Sequence, residues 1–396
     1  GSYPSLYLSR FNPVAVLKGK LGTSIGEVWA RRGLVIFQFT LSIILIASVL
    51  VVYKQIEFIQ SKNLGYNRDN IISFEMEWKG EGSVLPFLSE IGTIPDVINT
   101  SCYYHNLLGD HGGTGDVHWE GKDPNLNMHF ANLEVGYDFI ETLGIQVSDG
   151  RTFSRDIKPE RQIIFNEYAI RKMGIKDPVG KTVKLWGEDK QIVGVVKDFN
   201  FESLYEDIKP CFIQVIPELP NAIVKIKGGT ERSSLEQLEK IYNKFSPGLP
   251  FEYRFLDAQY HSLYAAEQRV SVLSRYFAGI AILISCLGLF GLASFTAERR
   301  VKEIGIRKIL GATNFGIVGL LSGDFTRMVL IAIIVALPVS YLIGFKWLES
   351  FAYRVDLEWW FFIVAGFTAL LIALITVSLQ TIKAARTNPV ECIRNE

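Results

Sequence analysis

Three stretches of this sequence hold residue types whose spacing could do chemistry. GIKDPVGKT, Gly174 to Thr182, ends like a phosphate-binding loop. It places five residues between its glycines, where a cradle of backbone N–H groups around phosphate needs four. It therefore reads as a helix end and a turn into the next strand. His105, His111, His118 and His129 fall within 25 residues of one another, near Asp110 and Asp116. Their spacing fits no ligand pattern of a helix or a ribbon, so they read as loop residues, not a metal centre. No Ser, Cys or carboxylate nucleophile can be matched with a base, and the expectation is a chain without catalytic residues of its own.

The third stretch is AERRVKEIGIRKILGAT, Ala297 to Thr313. On a helix from Glu298 to Leu310, Arg300, Glu303 and Arg307 share a stripe, with Glu303 four residues before Arg307 in the favourable order. Val301, Ile304, Ile306, Ile309 and Leu310 spread over the remaining surface. Gly311-Ala312-Thr313 can end that helix and let Thr313 cap the next. Two physical readings stay open. A cationic anchor on lipid headgroups accounts for the positive charges. A helix docking into a groove of a cytoplasmic protein also accounts for Glu303, Gly305 and the closing turn.

The elements that position this segment are membrane helices. Four stretches carry no charged side chain: Leu34 to Tyr53, Tyr276 to Phe295, Met328 to Phe345 and Trp359 to Ile382. At about 1.5 Å per residue, each can cross most or all of a hydrocarbon core of about 30 Å. Cations flank them unevenly: Arg10, Lys18, Lys20, Arg31 and Arg32 before the first; Arg299, Arg300, Lys302, Arg307 and Lys308 between the second and third; Lys383, Arg386 and Arg394 after the fourth. Those flanks are cytoplasmic by the positive-inside rule. The loop 346–358 and its borders hold Trp347, Phe351, Tyr353, Trp359 and Trp360, which read as an outer interface belt. The first apolar run is too long for a signal peptide and lacks a cleavage site, so it serves as an anchor.

The expected order is a cytoplasmic segment 1–33, span 34–53, an extracytoplasmic domain 54–275, span 276–295 and a coupling segment 296–327. Span 328–345, a short outer loop 346–358, span 359–382 and a cytoplasmic tail 383–396 follow. The insert alternates strand-like runs (Asn70 to Glu75, Gln162 to Phe165, Thr182 to Trp186, Gln191 to Phe199, Lys209 to Ile216, Ala222 to Lys227) with helical ones such as Ser233 to Phe245. An α+β domain follows. Asp257 to Arg275 holds no Gly or Pro, which predicts one helix running into span two. There, Ala278, Ala281, Ser285 and Gly288 repeat at three- and four-residue spacing, the small-residue pattern of close helix packing. Cys102 and Cys211 lie outside, Cys286 in a span and Cys392 in the cytoplasm, and no bridge is expected. With 41 basic and 41 acidic residues, no net-charge field recruits a partner, and nucleic acid is not expected.

EIGIRKILGAT resembles the coupling motif of the FtsX/MacB-like ABC transporter permeases, the type VII or mechanotransmission class. LVIFQFTLSIILIASVLVVYKQI, DFIETLGIQVSDGRTFSRD, IIFNEYAIRKMGIKDPVGK, FSPGLPFEYRFLD and NPVECIRNE resemble the large permeases of this family from Bacteroidota. The resemblance implies a bacterial inner-membrane protein of four transmembrane helices, with a MacB-like periplasmic core domain between the first two. It implies a second permease unit and a separate cytoplasmic ABC ATPase dimer, which holds ATP and Mg while this chain binds no cofactor directly. Glu298, Arg299, Arg300, Glu303, Ile304, Gly305, Arg307, Lys308, Leu310, Gly311 and Ala312 would contact that ATPase. Span two would carry the motion to the outer domain, for efflux or extraction of a substrate. Ala278, Ala281, Ser285 and Gly288 would meet the second unit, and periplasmic or outer-membrane proteins are further partners of this class.

SRFNPVAVLKG, residues 9–19, and ARTNPVECIRN, residues 385–395, share one pattern. In the family, NPV with a basic end closes a four-span unit. The start of the chain is thus expected to be the tail of a preceding unit, and the chain the C-terminal half of a tandem permease whose second unit is that first half or another copy. The same architecture admits a regulator of cell-wall hydrolysis or antimicrobial-peptide signalling that transports nothing. A ligand-sensing receptor would need a cytoplasmic output domain, for which 296–327 leaves no room.

Overall fold

A computed structural model of the chain describes residues 25–76, 84–104, 106–109, 111–300, 303, 306–307 and 309–385. The first charge-free stretch forms helix α1 (Ile25–Ser61). Strand β1 (Ile71–Glu75), helix α2 (Val84–Ile91) and strand β2 (Val97–Tyr103) follow. Short strands β3 (Gly113–Thr114) and β4 (Val117–His118) precede β5 (Phe130–Val135), α3 (Phe139–Leu143) and β6 (Val147–Gly150). Next come β7 (Gln162–Asn166), α4 (Glu167–Met173), β8 (Thr182–Leu185), β9 (Glu188–Val196), β10 (Cys211–Val215) and β11 (Asn221–Ile226). Then α5 (Glu231–Phe245), β12 (Tyr253–Phe255) and α6 (Leu256–Leu263) complete the insert. Helices α7 (Ala265–Arg299), α8 (Asn314–Leu348) and α9 (Trp359–Ala385) hold the other three charge-free stretches. Among the described residues, four helices are long and apolar enough to cross a membrane, over Trp29–Ser61, Ala265–Arg299, Val318–Leu348 and Trp359–Ile382.

The chain divides into two units. The outer one is Ile56–Gln268 together with Glu349–Arg354; the membrane one takes the described residues up to Gln55, Arg269–Leu348 and those from Val355 on. The outer unit is an α+β domain, as the sequence predicts. Its strands run β12-β1-β11-β2-β5-β10-β7-β9-β8-β4, with β3 also on β5 and β6 on β9. Pairs β5/β10 and β7/β9 are parallel, and the rest are antiparallel. Two cores lie on this sheet. Phe74, Phe87, Leu238 and Tyr242 fill one, where α2 and α5 cover β1 and β11. Phe130, Phe165, Ile192 and Phe212 fill the other, under α4. A single residue pair, Tyr103 with Val135, joins β2 to β5.

One expectation needs correcting. The helix predicted from Asp257 into span two is interrupted at Tyr264, whose φ of −110° and ψ of 20° end α6. A tertiary contact holds the break: Tyr264 is buried, and its hydroxyl accepts the Leu204 N–H at 2.7 Å. Its carbonyl then accepts the Gln268 N–H at 3.0 Å and starts α7. Cys102 on β2 and Cys211 on β10 are both free and buried, and β5 lies between their strands.

Candidate coupling segment

The segment after span two starts on the C-terminal turn of α7, where Arg299 places a cation against the negative end of the helix dipole. The Arg300 side chain donates to Asp324 of α8 at 3.2 Å, tying the exit of one helix to the next. Among the described positions that follow, Glu303, Ile306, Arg307 and Ile309 are helical. Glu303 and Arg307 pair at 2.9 Å in the predicted order. Both are half exposed, so the pair adds only about 0.3–0.5 kcal/mol. Its use is to orient the charges on one stripe.

The end of this helix follows from Gly311. At φ +88° it adopts the left-handed region that side chains avoid, and the Ala312 N–H reaches back to the Arg307 carbonyl at 2.9 Å. Thr313 Oγ1 then accepts the Gly316 N–H at 3.2 Å, capping α8. Among the described residues of the segment, three apolar side chains face outward: Ile306 is 55% exposed, Ile309 64% and Leu310 80%. Glu298, Arg299 and Ala312 are exposed as well. Ile304, Gly305 and Lys308 lie outside the described residues.

The small-residue face of α7 turns toward α1 of the same chain. Ser285 and Ser42 share a hydrogen bond at 3.0 Å, and Ala278 is buried. A methyl group at Gly288 would come within 2.5 Å of Gln38 Oε1. The Arg31 guanidinium lies over the Phe295 ring at 4.7 Å and that of Arg275 over Tyr53 at 5.4 Å. As α1 is followed from Arg31 to Tyr53, its partners on α7 run back from Phe295 to Arg275, so the two helices pack antiparallel. Of Ala278, Ala281, Ser285 and Gly288, the last two meet α1 of the same chain. Small side chains permit the close approach, and the spacing of α7 alone cannot name the helix that makes it.

A further group was missed by the sequence reading. Phe351, read as part of an interface belt, is buried and stacks on Tyr205 with ring centroids 4.3 Å apart. Tyr353 donates its N–H to the Leu204 carbonyl at 3.2 Å and lies under the Lys62 ammonium at 4.2 Å. Tyr205 donates its hydroxyl to Glu267, and burial, with Glu267 adding to it, holds the phenol proton above its ordinary range. The short chain between α8 and α9 thus belongs to the outer unit's packing. Two aromatics at alternate positions were its only signal, and a lipid-facing belt carries the same signal.

The other candidate chemistry resolves into structure. Gly174, φ +69°, caps α4 by donating to Ile170 and Arg171, and Gly180 donates to Ile192 at 2.8 Å on the way into β8. His118 bonds Asp116 at 2.8 Å, His111 is buried and His129 exposed, while His105 and Asp110 lie outside the described residues.

Residues 275–389 match the family described as FtsX-like permease C-terminal. Over 288 residues the chain is 22% identical to the macrolide export ATP-binding/permease protein MacB of Chromobacterium violaceum, covering 69% of this chain and 44% of that protein. Over 297 residues it is 24% identical to the ABC transporter permease YknZ of Bacillus subtilis, covering 70% and 72%. Its C-terminal part thus carries an FtsX-like permease domain, and the chain resembles the MacB and YknZ permeases. It spans less than half the length of the MacB it matches. Among solved structures, the periplasmic region of MacB from Actinobacillus actinomycetemcomitans aligns at 14% identity and a TM-score of 0.36, over 52% of this chain and 98% of that one. With four candidate membrane-crossing helices among the described residues, the chain is a multi-pass inner-membrane protein whose insert between the first two spans is periplasmic.

Proposed function

We propose that this chain is the membrane subunit of an ABC transporter, converting ATP hydrolysis by a separate cytoplasmic ATPase dimer into motion of its periplasmic domain, for export or extraction of a substrate. ATP and Mg would sit on the ATPase. The observation that carries this reading is the outward triad Ile306, Ile309 and Leu310 beside the Glu303–Arg307 pair, on a helix ended by Gly311. Apolar anchors next to an oriented charge pair suit a groove on a partner protein, and a headgroup anchor has no use for the acid. In this reading, force enters at the segment and passes into α7 and, through Arg300 and Asp324, into α8. A second permease unit would complete the membrane part.

The test is association of the purified full chain with its cognate ATPase. Leu310→Asp and Glu303→Lys are each expected to weaken it by roughly 30-fold, the loss of one interface hot spot of about 2 kcal/mol. Unchanged association in both variants would remove the assignment.

A further inference from the structure

In the outer unit, the chain leaving α1 walls a polar cavity of about 650 Å³. Gln60 and Ser61 line it, and they are the last residues of the span Trp29–Ser61, next to the level at which lipid headgroups begin. Backbone contacts fix the loop that follows. The Asn63 and Asn67 side chains accept the Gly65 and Asp69 N–H groups at 2.9 and 2.7 Å, and the Asn67 N–H donates to the Leu143 carbonyl at 2.7 Å. Gly65, at φ +84°, lets the loop close on the far wall, since a methyl group there would fall 2.6 Å from the Asp198 carbonyl oxygen.

Three cations line this cavity, Lys62, Arg68 and Lys197. Among the described residues none of the three has a carboxylate within ion-pair distance. Lys197 is exposed, and Lys62 lies over the Tyr353 ring. Arg68 is the most confined of them. It is half-buried over the Tyr260 ring at 4.3 Å, its Nη2 donates to the Gln60 carbonyl at 2.6 Å, and its Nη1 is buried without an acceptor. A ring face and one carbonyl offset only part of the cost of taking a guanidinium from water. The protein interior supplies Arg68 no counter-charge, so the balance has to come from the cavity side. Of the two carboxylates in the lining, Asp198 is already held by Arg171 and by the Tyr168 N–H at 2.7 Å, which leaves Asp69 against three cations.

We propose that this cavity binds a phosphate ester that carries hydroxyl groups. Guanidinium and ammonium groups are the side chains that recognise phosphate, and the fold gathers three of them here. The amides of Gln60, Asn63, Asn67 and Gln146, in the same lining, can donate to and accept from hydroxyls. Two sources carry this chemistry, the glycerol phosphate headgroup of an anionic phospholipid and a soluble phosphate ester. The position of Gln60 and Ser61 at the end of a span favours the lipid, whose chains would stay in the bilayer while the headgroup enters a polar cavity. The site is read from this cavity alone and stands whether or not an ATPase docks on the other side of the membrane.

The test uses the full chain in uncharged detergent, titrated with phosphatidylglycerol, with diacylglycerol as the same chains lacking phosphate, and with glycerol 1-phosphate as the soluble headgroup. Bound species are counted by native mass spectrometry and checked by thermal unfolding. Phosphatidylglycerol is expected to bind saturably and diacylglycerol not. Arg68→Gln should weaken binding by roughly tenfold, the worth of one charge-assisted hydrogen bond, and Lys197→Gln, at an exposed side chain, severalfold. Asp69→Asn removes the opposing carboxylate and should tighten binding severalfold, a gain that a misfolded variant cannot imitate. Glu239→Gln makes the same change of charge at an exposed position of α5 and should leave the affinity where it is. Glycerol 1-phosphate binding as tightly as phosphatidylglycerol assigns the soluble ester as the source, and binding of phosphatidylglycerol alone assigns the lipid; both support the site. Equal binding of diacylglycerol and phosphatidylglycerol overturns it, as does saturable binding of neither phosphate. So does an affinity that neither Lys197→Gln nor Asp69→Asn moves, or a gain from Glu239→Gln as large as that from Asp69→Asn.

Discussion

The interiors of the two units differ in the share that small side chains take: alanine recurs through the core of the membrane unit and is rare in the cores of the outer one. Phe87, Phe130, Phe139, Phe165 and Phe212 are fully buried in the outer unit, and each meets an aromatic neighbour edge to face, as Phe130 and Phe165 do with centroids 6.0 Å apart. In the membrane unit the buried positions include Ala47, Ala293, Ala332, Ala336 and Ala365, with Ser42, Ser285, Ser340 and Thr381. Phe39, Ile43, Leu289 and Phe361 are buried among them, while other large side chains face outward: Leu287 and Ile334 are each 71% exposed and Leu379 68%. Water explains the first arrangement, since each large apolar group gains by leaving it. Lipid explains the second. Between hydrocarbon tails nothing is gained by hiding a leucine, so close approach of backbones and hydrogen bonds across helices decide what goes inside.

The largest effect should come from the aromatic core. Phe165→Ala is expected to lower the unfolding free energy of the outer unit by about 3–5 kcal/mol, read by denaturant titration of the full chain in detergent. Leu287→Ala, on the lipid side, should change stability by less than about 0.5 kcal/mol. Similar losses in the two variants would break the comparison.

Dryness of the outer core can be read separately from Cys102. Burial raises its thiol from 9.0 to about 11. The folded state therefore favours the neutral thiol, and the stability this gives is whole below pH 9 and lost as pH climbs from 9 to about 11. The ceiling is about 3 kcal/mol, from about 1.4 kcal/mol per unit. Thermal midpoints taken across that window should fall less steeply in Cys102→Val; identical slopes would mean that water reaches the thiol.

Smaller effects probe the membrane unit. Ala365→Leu inserts bulk where α8 and α9 approach and should cost about 1–3 kcal/mol, whereas the same change in a loosely packed bundle would cost nothing. Ser285→Ala removes the bond to Ser42 and should cost only about 0.6 kcal/mol, the usual worth of a hydrogen bond between membrane helices. A loss of several kcal/mol there would show that polar contacts, not small-residue packing, hold α1 to α7.

Local features were legible before any coordinates. The spans follow from unbroken runs without charge. Strands such as β7 and β11 follow from short apolar runs, and the Glu303–Arg307 pair with its Gly311 ending from helical spacing and one permissive residue. Each is set by neighbours within a turn or two of chain, where periodicity carries the information. Beyond that range the sequence is silent. It does not say that α1 lies on the small face of α7, that Tyr264 breaks the helix into span two by bonding Leu204, or that Phe351 packs on Tyr205 and not in a lipid belt. Nor does it gather Lys62, Arg68 and Lys197 around one cavity, although each alone reads as an ordinary surface cation. Chain pattern determined which segments cross the bilayer, which fold outside it and where the helix after the second span ends. Tertiary structure alone chose the partners, because contacts between residues hundreds of positions apart depend on which packing of the whole chain has the lowest free energy.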